Sequence, residues 1–281
     1  MPELPEVEAA RALIEAHALG RPIAAVDDRD TYVCRPHGVG ELSDALVGRT
    51  LTRARRIGKS MWVETDEGEG PSLGLHLGMA GRMVFISEDV SAGTSYAGDP
   101  MSATELAGEA GGHPDPRSSG NPAWARFTVE FEDGAALILF DKRRLGRAVL
   151  NPDLSGLGPD ALEVPRAVFA ERVGAGTAPL KARIMDQSVI AGVGNLLADE
   201  TLWQAGLSPL RPAGELTDEE RAHLWRTLRR CTRAAIKHGG VHTGRFIPYR
   251  RRGAACPRCG TEPVRATVGG RTTWWCPEEQ T

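Results

Sequence analysis

The periodicity of this chain changes near residue 150, and that change limits the folds open to it. Before it, short apolar stretches are separated by turn residues. Residues 61–65 and 73–86 flank the turn-rich DEGEG and predict a hairpin. Residues 125–131 (ARFTVEF) alternate, EDG turns the chain, and 135–140 return as an apolar run, predicting a second hairpin. Segment 87–122, rich in Gly, Ser, Pro and acidic residues, reads as a long loop. After residue 150, prolines and glycines punctuate helical segments at 165–173, 180–190, 195–205 and 217–237. Strands followed by helices predict an α+β chain with an antiparallel β-sandwich. Residues 253–281 are too few to build an apolar core of their own. The expected organisation is therefore 1–150, an N-terminal helix with a β-sandwich; 151–252, a helical domain; and 253–281, a β-hairpin.

Charge is informative in its distribution, not its sum. The net charge is only −3, yet residues 221–261 contain no acidic side chain while arginines accumulate there. Such a one-sign block suits a polyanion, or a solvated helix face followed by a basic loop. Five cysteines argue against a disulfide framework. No apolar run is long enough to span a bilayer, and the start lacks a secretory pattern, so a cytoplasmic protein is expected.

The opening MPELPEVEAARALIE reads as a helix start, with prolines and carboxylates in the first turn and Leu4, Val7, Ala10 and Ile14 at core spacing. In KARIMDQSVIAGVGNLLADETLWQAGLSP, a glycine corner separates two helical runs. Backbone N–H groups at the start of the second run, with Asn195, suit a phosphate. Cys256, Cys259 and Cys276 occupy knuckle spacing around a strand–turn–strand pattern, with Glu279 where a fourth cysteine would complete a zinc site. Zinc closed by Glu279 or water, a metal-free hairpin packed on Trp274 and Trp275, and partial occupancy are all open. Arg271 lies near the hairpin turn. Lys59 precedes a strand and on its own reads as one more solvated cation; Met79, Arg143 and Leu145 sit on loops, where the methionine and leucine suit either core plugs or, beside an arginine, insertion into a base stack.

These motifs, in this order over the whole chain, resemble the formamidopyrimidine-DNA glycosylase / endonuclease VIII family. The resemblance implies a helix–two-turn–helix domain, a zinc-finger-like hairpin and a monomer acting on damaged double-stranded DNA. It implies a bifunctional DNA glycosylase/AP lyase in which Met1 is removed and Pro2 becomes the nucleophile. Glu3 matches the acid/base residue, Glu6 a supporting carboxylate and Lys59 a phosphate contact. Asn195 and Arg271 match further phosphate contacts, and Met79, Arg143 and Leu145 the residues that fill the gap left by a flipped base. Three departures stand out: Glu279 for a cysteine, leucine at 145 where an aromatic is frequent, and a short 238–252 segment where 8-oxoguanine-specific members carry a longer loop. A relative that binds abasic or damaged DNA without cleaving it is the alternative.

Overall fold

The computed structural model describes residues 1–88, 94–99 and 122–281. The chain divides into two compact units: Met1–Pro2 with Glu6–Leu154, and Glu3–Pro5 with Ser155–Thr281.

Among the described residues, the first unit holds most of helix α1 (Leu4–His17), two short helices, α2 (Thr31–Cys34) and α3 (Glu41–Leu46), and nine strands: β1 (Ile23–Asp27), β2 (Leu51–Ile57), β3 (Ser60–Thr65), β4 (Leu73–His76), β5 (Arg82–Ile86), β6 (Thr94–Gly98), β7 (Ala125–Phe131), β8 (Ala136–Phe140) and β9 (Arg147–Leu150). They form two antiparallel sheets, ordered β2-β3-β4-β9 and β1-β7-β8-β5-β6. Alternation places Met61 and Val63 of one sheet and Phe127, Val129 and Phe131 of the other in a single core with Val7, Ala10 and Ile14 of α1. The second expected hairpin is β7–β8. The first is only half right. Residues 61–63 pair with 73–75, but the run 73–86 is not one strand. It turns at 77–81, where the Gly81 N–H donates to the Leu77 carbonyl, and continues as β5 in the other sheet. Strand β2 is not predicted by the sequence pattern, because LTRARRI carries three arginines; its Leu51 and Ala54 are nevertheless buried. Within 87–122, residues 94–98 pair with β5 as an edge strand and so depart from the expected loop; residues 89–93 and 100–121 lie outside the described residues.

The second unit contains α4 (Arg166–Val173), α5 (Leu180–Met185), α6 (Asn195–Ala205), α7 (Asp218–His238) and the hairpin β10 (Val264–Val268) and β11 (Arg271–Trp275). The helix expected over 180–190 stops at Met185. The Asp186 carboxylate accepts from the Ser188 N–H and hydroxyl (2.9 and 2.7 Å), a local turn that competes with helix continuation. Leu180, Ile184, Leu197, Leu202, Leu224 and Leu228 form the core with Leu4. Helix α7 starts in a capping box: the Glu220 N–H donates to the Thr217 hydroxyl, and the Thr217 N–H donates to the Glu220 carboxylate at 2.7 Å. Among the described residues no helix is long and apolar enough to cross a membrane. Thr217→Ala should lower stability by about 1 kcal/mol without loss of helix content, checked by chemical denaturation and far-ultraviolet circular dichroism.

Candidate functional site

Pro2 is buried just before α1, and the ammonium of Met1 lies 3.1 Å from Asp99. Glu3 is 1% exposed, and its carboxylate accepts the N–H of Leu196 (2.8 Å) and of Leu197 (3.0 Å). These are orphan donors in the first turn of α6, so Glu3 caps a helix that begins almost two hundred residues later. The positive end of the helix adds to the attraction. The Leu4 N–H donates to the Gly192 carbonyl at 3.2 Å and holds the same segment by its backbone. Gly194, immediately before α6, has an extended backbone open to any residue, but a Cβ there would overlap the Glu3 carboxyl group. The glycine is thus required by space rather than by dihedral angle. This corrects one expectation: two of the α6 N–H groups assigned to phosphate are occupied by Glu3.

Asn195 is set by a buried lysine. The Lys181 Nζ lies 2.7 Å from Asn195 Oδ1, 2.8 Å from Thr273 Oγ1, 3.2 Å from the Thr272 carbonyl and 2.7 Å from Asp199 Oδ1. An ammonium only donates, so the Asn195 amide must turn its oxygen toward Lys181, leaving Nδ2 as the free-facing donor. Asp199 also takes Arg250 Nε at 2.7 Å and the Trp274 N–H at 3.2 Å. Burial pushes the Lys181 amine below its ordinary value, against the opposing pull of Asp199. One buried network therefore joins α5, α6 and β11, and fixes Asn195 relative to the hairpin whose exposed Arg271 starts β11.

Within the first unit, Lys59 lies in the β2–β3 turn. Arg56 donates to the Glu8 carboxylate (2.9 Å) and to the Gly58 carbonyl (3.0 Å), anchoring that turn to α1. Glu6 is buried in the first turn of α1. His76 ends β4; burial, then the nearby Lys59 charge, hold its imidazole below its usual value. Its Nδ1 accepts the Gly78 N–H at 3.0 Å. Gly78 has φ +59°, and a Cβ there would strike the backbone of Leu145 and Gly146, so the Met79 loop and the 141–146 loop pack together. The second loop wraps the fully buried Asp141, whose carboxylate accepts the N–H groups of Arg143 (2.9 Å), Leu145 (2.8 Å) and Gly146 (2.7 Å). Arg143 is exposed, Leu145 half-buried, and Met79 39% exposed. An apolar tip beside a cation is held on a stiff loop.

In the hairpin, the ligand atoms of Cys256, Cys259 and Cys276 lie within 4.8 Å of one another. Tetrahedral zinc with Zn–S bonds of about 2.3 Å requires comparable separations, so the three thiols form a cluster able to hold zinc. The Glu279 carboxylate lies 3.7 Å from Arg258, outside the three-thiol group. Burial opposes ionisation of Cys256, but the backbone N–H groups of Cys259 and Arg258 and the Trp203 indole bring its thiol below the ordinary value.

Sequence reasoning passes over Arg56, His76, Asp141 and Lys181. Asp141 and Lys181 stand inside recognisable motifs, DKRRLGR and KARIMDQ, but without their partners in view each is one more charged residue.

The sequence profile of the formamidopyrimidine-DNA glycosylase N-terminal domain matches residues 1–148, and that of its H2TH domain matches residues 157–246. A formamidopyrimidine-DNA glycosylase of Arabidopsis thaliana is 33% identical over 300 residues, covering 100% of this chain and 71% of the relative. The enzyme of that name from a Nocardioides species is 33% identical over 304 residues, covering 99% and 93%. Among solved structures, Lactococcus lactis Fpg in complex with DNA containing an abasic site superposes with a TM-score of 0.76 at 25% identity, covering 99% of each chain. MutM (Fpg) from Thermus thermophilus superposes with a TM-score of 0.74 at 31% identity, covering 99% of this chain and 98% of that one. By class, the protein is a DNA glycosylase with a helix–two-turn–helix domain. The chain belongs to the formamidopyrimidine-DNA glycosylase family.

Gly194→Ala should displace Glu3 from α6. Overpacking of this kind costs about 1–3 kcal/mol. The expected outcome is a lowered denaturation midpoint with a larger fractional loss of base-release rate, whereas an unaffected rate would show that Glu3 works from another position.

Proposed function

We propose that this protein is a bifunctional glycosylase and AP lyase of base-excision repair, acting on oxidised bases in duplex DNA through a Schiff base at Pro2. The observation that carries the reading is Glu3, a buried carboxylate held by two N–H donors at the start of α6 directly after Pro2. Positions are fixed there to within hydrogen-bond tolerance, as acid/base chemistry requires.

The target nucleotide must leave the stack before C1′ can be attacked. Met79, Arg143 and Leu145 would fill the space it leaves, on loops stiffened by Gly78 and Asp141. Lys59, Asn195 and Arg271 would hold the backbone phosphates. Once Met1 is removed, Pro2 carries a secondary α-amine. Such amines titrate at about 7.7–8.0, so part is neutral at physiological pH. Its lone pair forms the N–C1′ bond while the nitrogen passes its proton to Glu3, and the glycosidic bond breaks with its electron pair on the departing base, which takes a proton from water. Glu3 delivers a proton to O4′ as the sugar ring opens to the iminium. Loss of a C2′ proton then expels the 3′ phosphate, and a second elimination expels the 5′ phosphate. Cys256, Cys259 and Cys276 would hold zinc as a structural ion with no part in these steps.

Borohydride added to the reaction with an abasic duplex should trap a covalent complex at Pro2. Pro2→Gly should keep a weaker primary-amine version, and Glu3→Gln should slow base release from oxidised DNA. A chain that retains Met1 should bind the duplex without trapping. No trapped species from chain starting at Pro2, with tight abasic-DNA binding, would favour the non-catalytic alternative. A panel of formamidopyrimidine, 8-oxoguanine, thymine glycol and dihydrouracil duplexes ranks the bases.

Elemental analysis checks the metal. Purified protein should carry about one zinc per chain. Cys276→Ser should lose it, and Glu279→Gln should keep it, because Glu279 is engaged by Arg258. Zinc loss in Glu279→Gln would make that carboxylate the fourth ligand.

A further inference from the structure

The acid-free block in the sequence is not used up by the site above. Much of it forms α7, where Arg226, Arg230, Arg233 and Lys237 recur at helical spacing, and all four are exposed. The stripe runs for about 16 Å at 1.5 Å per residue. Among the described residues none of the four pairs with a carboxylate; Arg230 donates only to Gln204 Oε1 (3.3 Å) and Thr227 Oγ1 (3.5 Å). Asp218 and Glu219, in the first turn, bound the stripe at one end.

Structural needs do not explain this pattern. Like charges at these spacings oppose helix formation, whereas a helix face built for solubility alternates signs. The helix dipole accounts for Lys237 and His238 in the last turn, but its influence does not reach Arg226 or Arg230. Arg229 has a structural task, lying 5.0 Å from the Trp225 ring centroid, and is not part of the stripe. An anionic membrane would need apolar side chains beside the cations. The apolar face of α7, with Leu224, Leu228 and Ala235, is already in the core.

The stripe is also separate from the phosphate contact at Asn195. Its link to α6 is Gln204, nine residues along that helix and so about 14 Å from Asn195. We propose that the outer face of α7 binds the phosphate backbone of a second, undamaged stretch of duplex DNA while the lesion site is occupied. A duplex presents one charge per roughly 1.7 Å of axis, so the stripe faces many phosphates at once. The proposal rests on the reading of the protein as a DNA glycosylase, since that reading selects duplex DNA among polyanions. Binding a second segment would let the enzyme pass between stretches of DNA without release into solution.

The test uses the full chain and the triple variant Arg226→Gln/Arg233→Gln/Lys237→Gln, with Arg230 kept for its bonds to Gln204 and Thr227. Each protein is saturated with a short, unlabelled duplex carrying a tetrahydrofuran abasic analogue, and a labelled undamaged duplex is then titrated in. The wild-type chain should form a ternary complex, and the variant should bind the second duplex at least about tenfold more weakly. The slope of log affinity against log salt for that step should shrink by about 3, from roughly 0.9 per lost contact. Borohydride trapping on abasic DNA should be equal in both proteins. Absence of a ternary complex with wild type, or an unchanged one with the variant, overturns the proposal. So does a weakened response to heparin with duplex binding unaltered, or a parallel loss of trapping. Failure of both proteins to trap abasic DNA, with second-duplex binding still dependent on the stripe, would count against the catalytic reading and leave the surface standing.

Discussion

The carboxylate of Glu3 at the start of α6 is the interaction on which the candidate chemistry depends. A free helix N-terminus presents unsatisfied N–H groups that attract any anion. Here the anion is supplied by the chain itself, and it is the residue next to the prospective nucleophile. The bond pair fixes Glu3 in two directions, and the Leu4 N–H to Gly192 carbonyl contact fixes the backbone that carries it. The cost is local and visible: Gly194 gives up a side chain so that the carboxylate can lie against the helix. A glycine that its own dihedral angles do not demand is evidence that the approach of Glu3 shapes the corner.

A second buried charge plays a comparable part in setting Asn195, the proposed phosphate contact. Desolvating an ammonium and a carboxylate together is expensive, and breaking such a pair by removing one member costs about 3–5 kcal/mol. Lys181 and Asp199 are both fully buried, yet each has further partners: Asn195, Thr272 and Thr273 for the lysine, Arg250 and Trp274 for the carboxylate. A pair of leucines in their place would pack without specifying where Asn195 points. The charged network specifies it, because only the amide oxygen can accept from Lys181.

Local structure is legible wherever one short segment contains its own instructions. Helix α6 begins and ends next to glycines, and the hairpin turns on Gly269 and Gly270, both at positive φ, so sequence and structure agree there to within a residue. The misses have physical causes. The arginines of β2 hide a strand whose Leu51 and Ala54 are buried, and glycines split 73–86 between two sheets. In the site, motif residues are recognisable but their partners are not. Glu3 meets Leu196 and Leu197, and Lys181 meets Thr272 and Thr273, across separations that no local pattern encodes. A buried lysine looks in sequence like any solvated one.

The hairpin is supported by more than its three clustered thiols. In a short segment without a core, three thiols leave one corner of a tetrahedral metal site open to a non-cysteine ligand. This hairpin has other supports. Trp203 stacks on Phe246 at 5.4 Å between centroids, and both belong to a small core with Cys256, Trp274 and Cys276. Gln280, next to Glu279, accepts the Cys276 N–H at 2.9 Å and donates to the Leu207 carbonyl at 3.0 Å. The Thr281 N–H bonds the Gly206 carbonyl, the Ser208 N–H bonds the Thr281 carbonyl, and Arg258 lies 3.8 Å over Trp203 while holding Glu279. The tail is therefore tied to the end of α6 by neutral hydrogen bonds and one ion pair, and Lys181 ties β11 to its beginning. With both ends of α6 gripping the hairpin, Arg271 is positioned by packing and hydrogen bonds, and a metal at the three thiols would add stability to a geometry the protein chain already defines.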